Sequence, residues 1–350
     1  SVVVTTPDPQ PKLAVFVDRE DTDSPPFAGD KVDCFFSDDV NGLVLGSLVT
    51  LDDEADFDAI ADFDFIGAVD ITGGSYEFAN TLDLGTKQPL RLKRHFVTQG
   101  FYPNDLIDKR SANIDTWTDF DGATAFDVNA KLLVATTDSD PDATVNGTYA
   151  QSGTTITVTK SSHGLSIGGF VVLTFTSGTG VSGNYEIKTK STNTFTVTAA
   201  ASQTTSGNVT ISSEFSRFNT FANGTFIARG FKFRCEMDSD DPAQSIEIDQ
   251  LGYTAELDRR VETVNAVIAS TTSTKSVTFA QSFFTGSTGT DIAAGSALPT
   301  IGITIENMTA GDEFFLSNIS GTGFDIDIKN GGSNVNRNFK YTAIGFGRGS

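Results

Sequence analysis

With 350 residues, 45 acidic against 24 basic side chains and a formal net charge of −21, the chain carries a field that repels phosphate backbones and anionic membrane surfaces, which argues against nucleic acid as a partner. The length admits two or three domains, each able to bury its own core. Twenty-nine phenylalanines, 33 glycines and ten prolines stand against one tryptophan and two methionines, and Thr, Ser and Val crowd the periodic segments, a composition for β-structure and against helices.

Residues 1–11 hold Pro7, Pro9 and Pro11 among short polar residues and read as an extended connector. The opening Ser-Val-Val-Val, without methionine, reads as a processed product or as the ordered end of a longer polypeptide. Neither a basic–apolar leader nor an apolar run of membrane-spanning length is found. From residue 12 strand signals alternate with acidic loops at 13–17, 62–70, 75–78, 90–97 and 131–136, while acidic residues at 52–60 open one short predicted helix.

After Asp138-Ser-Asp-Pro-Asp142 the texture changes to threonine-rich alternations of low charge at 155–159, 171–176, 184–189, 194–198 and 208–212, separated by glycine-bearing turns. The acidic, phenylalanine-rich texture then resumes. In 221–237, Phe231, Phe233, Cys235 and Met237 fall on one face and Lys232, Arg234 and Glu236 on the other, the period of two of a half-buried antiparallel strand. Asn223-Gly224 reads as a tight hairpin turn before it, and its partner strand is expected about ninety residues earlier. Residues 269–275 read as a linker or the start of an edge strand, and the last strands are predicted at 277–279, 300–305, 313–318, 324–328 and 338–343, with a turn at Asn330-Gly331-Gly332.

The expected architecture is all-β: tandem β-sandwich-like domains with a small β-domain inserted in the first. Residues 12–142 and 214–262 form a discontinuous β-sandwich domain, 143–213 the inserted domain, and 263–350 a C-terminal β-sandwich tip domain.

Candidate chemistry is sparse, and no catalytic residue is assigned. Asp138, Asp140 and Asp142 repeat the alternate positions of a calcium loop, and Asp238, Asp240 and Asp241 echo them. The sixth position is Ala143 and the twelfth Tyr149, where an EF-hand needs glycine and glutamate, so the choice lies between a calcium site of another kind and plain Asp-Pro turns. Asp325 and Asp327 share a strand face roughly 7 Å apart, as a glycosidase pair would and as any solvent-facing edge does; Asp62 and Asp64 repeat the pattern. His95 and His163 have neither zinc spacing nor triad partners, and there is no nucleophile elbow or phosphate-cradling glycine loop. Cys34 and Cys235 suit two buried thiols better than a single bridge.

Four segments carry a resemblance: Tyr76-Glu-Phe-Ala-Asn-Thr-Leu-Asp-Leu-Gly85, Asp115-Thr-Trp-Thr-Asp-Phe-Asp-Gly122, Leu133-Val-Ala-Thr-Thr-Asp-Ser-Asp-Pro141 and Gly224-Thr-Phe-Ile-Ala-Arg-Gly-Phe-Lys-Phe-Arg234. They resemble the distal part of the host-specificity protein J, or central tail fibre, family of long-tailed bacteriophages. Gly302-Ile-Thr-Ile-Glu-Asn-Met308 and Asn338-Phe-Lys-Tyr-Thr-Ala-Ile-Gly-Phe-Gly-Arg348 are similar to terminal domains of phage tail fibres, and Ile156-Thr-Val-Thr-Lys-Ser-Ser-His-Gly-Leu-Ser-Ile-Gly168 looks like an accessory module of phage structural proteins. The insert interrupts the family's usual run, and the family's hub region has no counterpart in these residues.

The resemblance implies a non-enzymatic homotrimer at the virion tail tip, assembled in the host cytoplasm beside other tail-tip proteins. It would meet a bacterial surface receptor, either a glycan or an outer-membrane protein. In the terminal domain Phe283, Phe284, Asn330, Asn334 and Arg337 are the receptor-contact candidates, aromatic rings to stack on a sugar and polar groups to hydrogen-bond it. Packing of Phe283 and Phe284 in a trimer core is the competing assignment. The alternatives for the whole chain are a tail depolymerase of surface polysaccharide and a purely architectural spacer.

Overall fold

The computed structural model describes residues 73–101, 128–239, 245–287 and 292–347, together with six short strands between residues 12 and 69. The chain is all-β, and among the described residues there is no helix. The helix expected at 52–60 lies outside the described residues, as do Asp62, Asp64, Asp240 and Asp241.

The first strands are β1 (Lys12–Asp18), β2 (Asp30–Val32), β3 (Cys34–Ser37), β4 (Gly42–Leu45), β5 (Ser47–Val49), β6 (Gly67–Val69), β7 (Gly73–Glu77), β8 (Leu82–Phe101) and β9 (Val128–Thr137). The chain then runs through β10 (Thr144–Thr159), β11 (Phe170–Phe175), β12 (Gly183–Glu186), β13 (Thr189–Lys190) and β14 (Thr194–Ser212), and returns as β15 (Asn219–Thr220), β16 (Gly224–Ser239) and β17 (Ser245–Glu256). A ten-stranded sheet joins the two stretches in the order β15-β9-β16-β8-β17-β4-β3, with β1 on β17 and β7 bridging β2 and β16.

β16 is the spine of this sheet. One edge pairs with β9 from Gly230↔Thr137 to Ser239↔Val128, and the other pairs first with β8 and then with β7. Phe231, Phe233, Cys235 and Met237 are buried while Lys232, Arg234 and Glu236 are half-exposed, so the alternation in the residues is the alternation of the pleat. Phe233 stacks on Tyr253 with centroids 3.8 Å apart, and Tyr76, Leu82 and Leu132 close the same core. Each such side chain taken from water contributes roughly 1.5–3 kcal/mol.

Asn223-Gly224 is not a hairpin turn. Neither residue adopts positive φ, and β9 lies between β15 and β16. The Asn223 side-chain oxygen instead accepts the backbone N–H of Arg94 in β8 at 2.7 Å, a long-range latch in place of local turn chemistry.

β10, β14, β11 and β12, with β13 on β14, form a separate five-stranded sheet around Ile156, Val158, Leu173, Phe195, Val197 and Ile211. The strands expected at 194–198 and 208–212 are one strand, β14. Its middle, Ala-Ala-Ser-Gln-Thr-Thr-Ser-Gly, has no apolar alternation, and pairing with the first half of β10 holds it extended.

The last strands are β18 (Arg259–Ala269), β19 (Lys275–Thr278), β20 (Thr300–Glu306), β21 (Asp312–Ser317), β22 (Gly323–Asn330), β23 (Ser333–Asn334) and β24 (Asn338–Phe346). They form two sheets, β18-β24-β20 and β19-β22-β21 with β23 on β22. Phe324, Ile326 and Ile328 from one and Phe339, Tyr341 and Ala343 from the other share a single core. Residues 259–262, read from sequence with the first domain, open β18 and pair with Phe346 through Ala343 of this terminal module.

Candidate functional site

In the terminal module Asn330 and Arg337 do come together, but around Asp312. Arg337 grips this carboxylate with both arms, Nε at 2.7 Å and Nη2 at 3.1 Å, while Asn330 Nδ2 donates at 2.8 Å and the Thr309 N–H at 2.7 Å. The Asp312 side chain is 0% exposed. Arg337 above all, then the Thr309 N–H and Asn330, hold its carboxyl well below the ordinary range. Gly331 and Gly332, at φ 55° and 83°, make the tight turn that aims Asn330 inward. Asn334 donates to Asp327 at 2.9 Å. The polar ends nominated for a receptor are committed to internal bonds, because a carboxylate withdrawn from water needs every donor within reach.

Phe283 and Phe284 are not surface residues. Phe283 lies in the terminal core, edge-on to Phe279 at 5.0 Å, with the Arg260 guanidinium 3.7 Å from its ring centroid. Phe284 packs into the core of the large sheet, and its N–H donates to the Phe346 carbonyl at 2.8 Å. Neighbouring side chains of extended backbone point opposite ways, so two consecutive rings enter two different cores. Exposing them would forfeit the burial of some 150–250 Å² each.

Asp325 and Asp327 face away from the buried Phe324, Ile326 and Ile328. Asp325 accepts from Asn318 at 2.7 Å, and Asn318 and then Ser276 push its carboxyl down, the opposite direction from a general acid at neutral pH. Asp327 accepts from Thr274 and Asn334, each at 2.9 Å.

The acidic run is regrouped by the fold. The carboxylates that converge are Asp83, Asp140 and Asp142, with oxygens within 4.8 Å of one another, whereas Asp138 pairs with Lys87 at 2.5 Å. Arg229 sits in the cluster, Nε 2.9 Å and Nη2 3.1 Å from Asp83 and Nη2 3.1 Å from Asp140. The hydrogen bond to Asp83, more than any other contact, raises its pKa. The cation of this cluster is a guanidinium, and the Asp140 carboxylate accepting the Asp142 N–H at 3.0 Å is an Asx turn. Asp83 was invisible to spacing because it lies on β8, far from the run. Asp238 accepts from Asn129 at 3.1 Å, apart from this group.

The histidines are structural. His163 accepts the Leu165 N–H at Nδ1, donates from Nε2 to the Thr194 carbonyl, and sets its ring edge-on to Phe195. His95 bonds Thr254 at 2.8 Å, and burial followed by Lys93 lowers its pKa. Cys235 is buried on β16; the Cys34 side chain lies outside the described residues.

Sequence reasoning missed one surface. β21 pairs only with β22 among the described residues, and its consecutive Phe314 and Phe315 are 45% and 50% exposed, with Lys329 Nζ 5.4 Å from the Phe315 centroid. The strand was readable, but its position at a sheet edge depends on partners elsewhere in the chain. The chain matches no family model, no curated protein and no solved structure.

Proposed function

We infer that this chain is a structural segment of the central tail fibre of a tailed bacteriophage, a non-enzymatic homotrimer whose terminal module contacts the host cell surface during adsorption. The carrying observation is the exposed pair Phe314 and Phe315 on β21, an edge strand among the described residues. Edge strands are ordinarily blunted, because a row of unpaired backbone groups recruits other chains, and large apolar groups left beside them mark an interface. Three copies of a weak contact add avidity without special chemistry. The acidic, all-β construction and the motif resemblance agree with this reading.

The test is competition. The purified chain should block phage adsorption to host cells, and a Phe314→Ser/Phe315→Ser variant should lose the block while sedimenting at the trimer mass. If the variant falls to monomer, β21 is an assembly interface, and receptor contact through it is wrong.

The spacer reading draws on the anchoring of Phe283 and Phe284 in two cores, which suits a rigid rod. A trimer that neither adheres nor competes would favour it.

A further inference from the structure

Where the chain leaves the large sheet for the β10–β14 module and returns, the two crossings lie side by side. The Ser216 N–H donates to the Thr136 carbonyl at 2.8 Å, and Phe170 and Phe215 exchange a pair of backbone bonds, each 2.8 Å. An open cleft of about 530 Å³ is left beside them, lined by Thr136 and Ser139 from the outgoing crossing, Ser166 and Ile167 from the module, and Glu214 and Arg217 from the return. That volume falls within the roughly 300–1,000 Å³ of small-ligand sites.

The floor is Gly168-Gly169. A Cβ on Gly168 would stand 2.8 Å from Arg217 Nη2, and one on Gly169 would stand 2.1 Å from Glu214 Oε1, so the glycines make room for one charged group over each. Glu214 Oε1 accepts the Ser166 N–H at 2.8 Å. Its second oxygen and the whole Arg217 guanidinium have no partner among the described residues, and the two side chains do not pair with each other. Elsewhere among the described residues Arg229, Arg234, Arg260 and Arg337 hold carboxylates.

An exposed guanidinium over one glycine and, over the next, a carboxylate with one oxygen left over suit a ligand that offers both an acceptor and a donor. A hydroxyl accepts from guanidinium and donates to carboxylate, whereas an anion reaching Arg217 is repelled by Glu214. Ile167, 58% exposed at the rim, offers an apolar contact to the C–H face of a ring. We propose that this cleft binds a neutral pyranose through vicinal hydroxyls, Arg217 donating and Glu214 Oε2 accepting. The choice of a saccharide deepens the surface-contact reading and rests on it, and it puts a glycan subsite at the neck in addition to the β21 edge.

The experiment titrates the full chain with the methyl glycosides of glucose, galactose and mannose, observing backbone amide shifts by NMR. At least one sugar should shift Ser166, Ile167, Gly168 and Gly169 saturably. Arg217→Ala and Glu214→Gln should each weaken binding by about tenfold, as loss of one charge-assisted bond implies. Gly169→Ala, which displaces the Glu214 side chain from its Cγ outward, should weaken it too while leaving the remaining spectrum folded. No saturable shift at these amides with any of the three sugars, or equal binding by the variants, overturns the site. Tighter binding of methyl glucuronide than of the glucoside overturns the neutral-sugar assignment. Adsorption competition run in parallel separates the two claims: sugar binding without cell adhesion sinks the surface-contact reading alone, and adhesion without sugar binding sinks the cleft alone.

Discussion

The large sheet carries two attached modules, and the two joints are built from opposite materials. At the neck of the β10–β14 module Glu77 accepts from Asn184 Nδ2 at 3.0 and 3.1 Å and from Arg234 at 3.0 Å. The Arg234 guanidinium lies 4.0 Å from the Phe218 centroid and 5.4 Å from that of Phe170, and Lys232 lies 5.1 Å from Phe215. The terminal module is joined by apolar contact: Phe284 enters the large core, Phe283 its own, and Gly345 is left bare because a Cβ would meet the Phe283 ring at 2.6 Å. Directional bonds fix how a module is oriented, while burial fixes how firmly it is held, since hydrophobic attraction has strength without direction.

The largest expected effect is on the apolar joint. Phe284→Ala should cost about 3–5 kcal/mol in urea unfolding of the large sheet; a loss under about 1 kcal/mol would mean that the ring couples nothing. Next is Asp83→Asn beside the polar neck, which leaves the mostly buried Arg229 with only Asp140 and should cost about 2–3 kcal/mol by the same measurement. Arg234→Ala should cost about 1–2 kcal/mol and speed amide exchange at Phe170 and Phe215. Unchanged exchange there would show that the neck is held by its backbone pairing alone.

Acid probes the terminal module through Asp312. Asp312 has a folded pKa depressed below its ordinary 3.8, so its stabilisation is complete above 3.8 and is lost as pH falls from there toward the folded value. Amide exchange at 309–312 should rise in that window, and Asp312→Asn should remove the dependence. The smallest effect is Asp138→Asn: its pair with Lys87 is exposed, and its loss should stay within about 0.5 kcal/mol. A cost matching that of Asp83→Asn would return Asp138 to the cluster.

The all-β class and the buried face of β16 were legible because alternation is written in consecutive residues: Phe231, Phe233, Cys235 and Met237 need no knowledge of their partners to declare a face. The turn at Gly331-Gly332 was legible for the same reason, since positive φ is a local demand that glycine meets. Local signals failed where a distant group supplied the missing half. Asn223 looked like turn chemistry until Arg94 took its oxygen, the centre of β14 looked like loop until β10 paired with it, and Asn330 and Arg337 looked free until Asp312 was brought beneath them.

The sequence by itself therefore determined the strand class, the faces and the acidity, all of which follow from neighbours along the chain. Only the tertiary structure decided that Asp83 replaces Asp138, that Phe283 and Phe284 enter separate cores, that β21 is an edge, and that Glu214 and Arg217 stand over Gly168-Gly169. The physical reason is range: periodicity acts over a few residues, whereas burial, ion pairing and strand neighbours are settled by residues dozens to more than a hundred positions apart, as Asp83 and Arg229 are at a separation of 146.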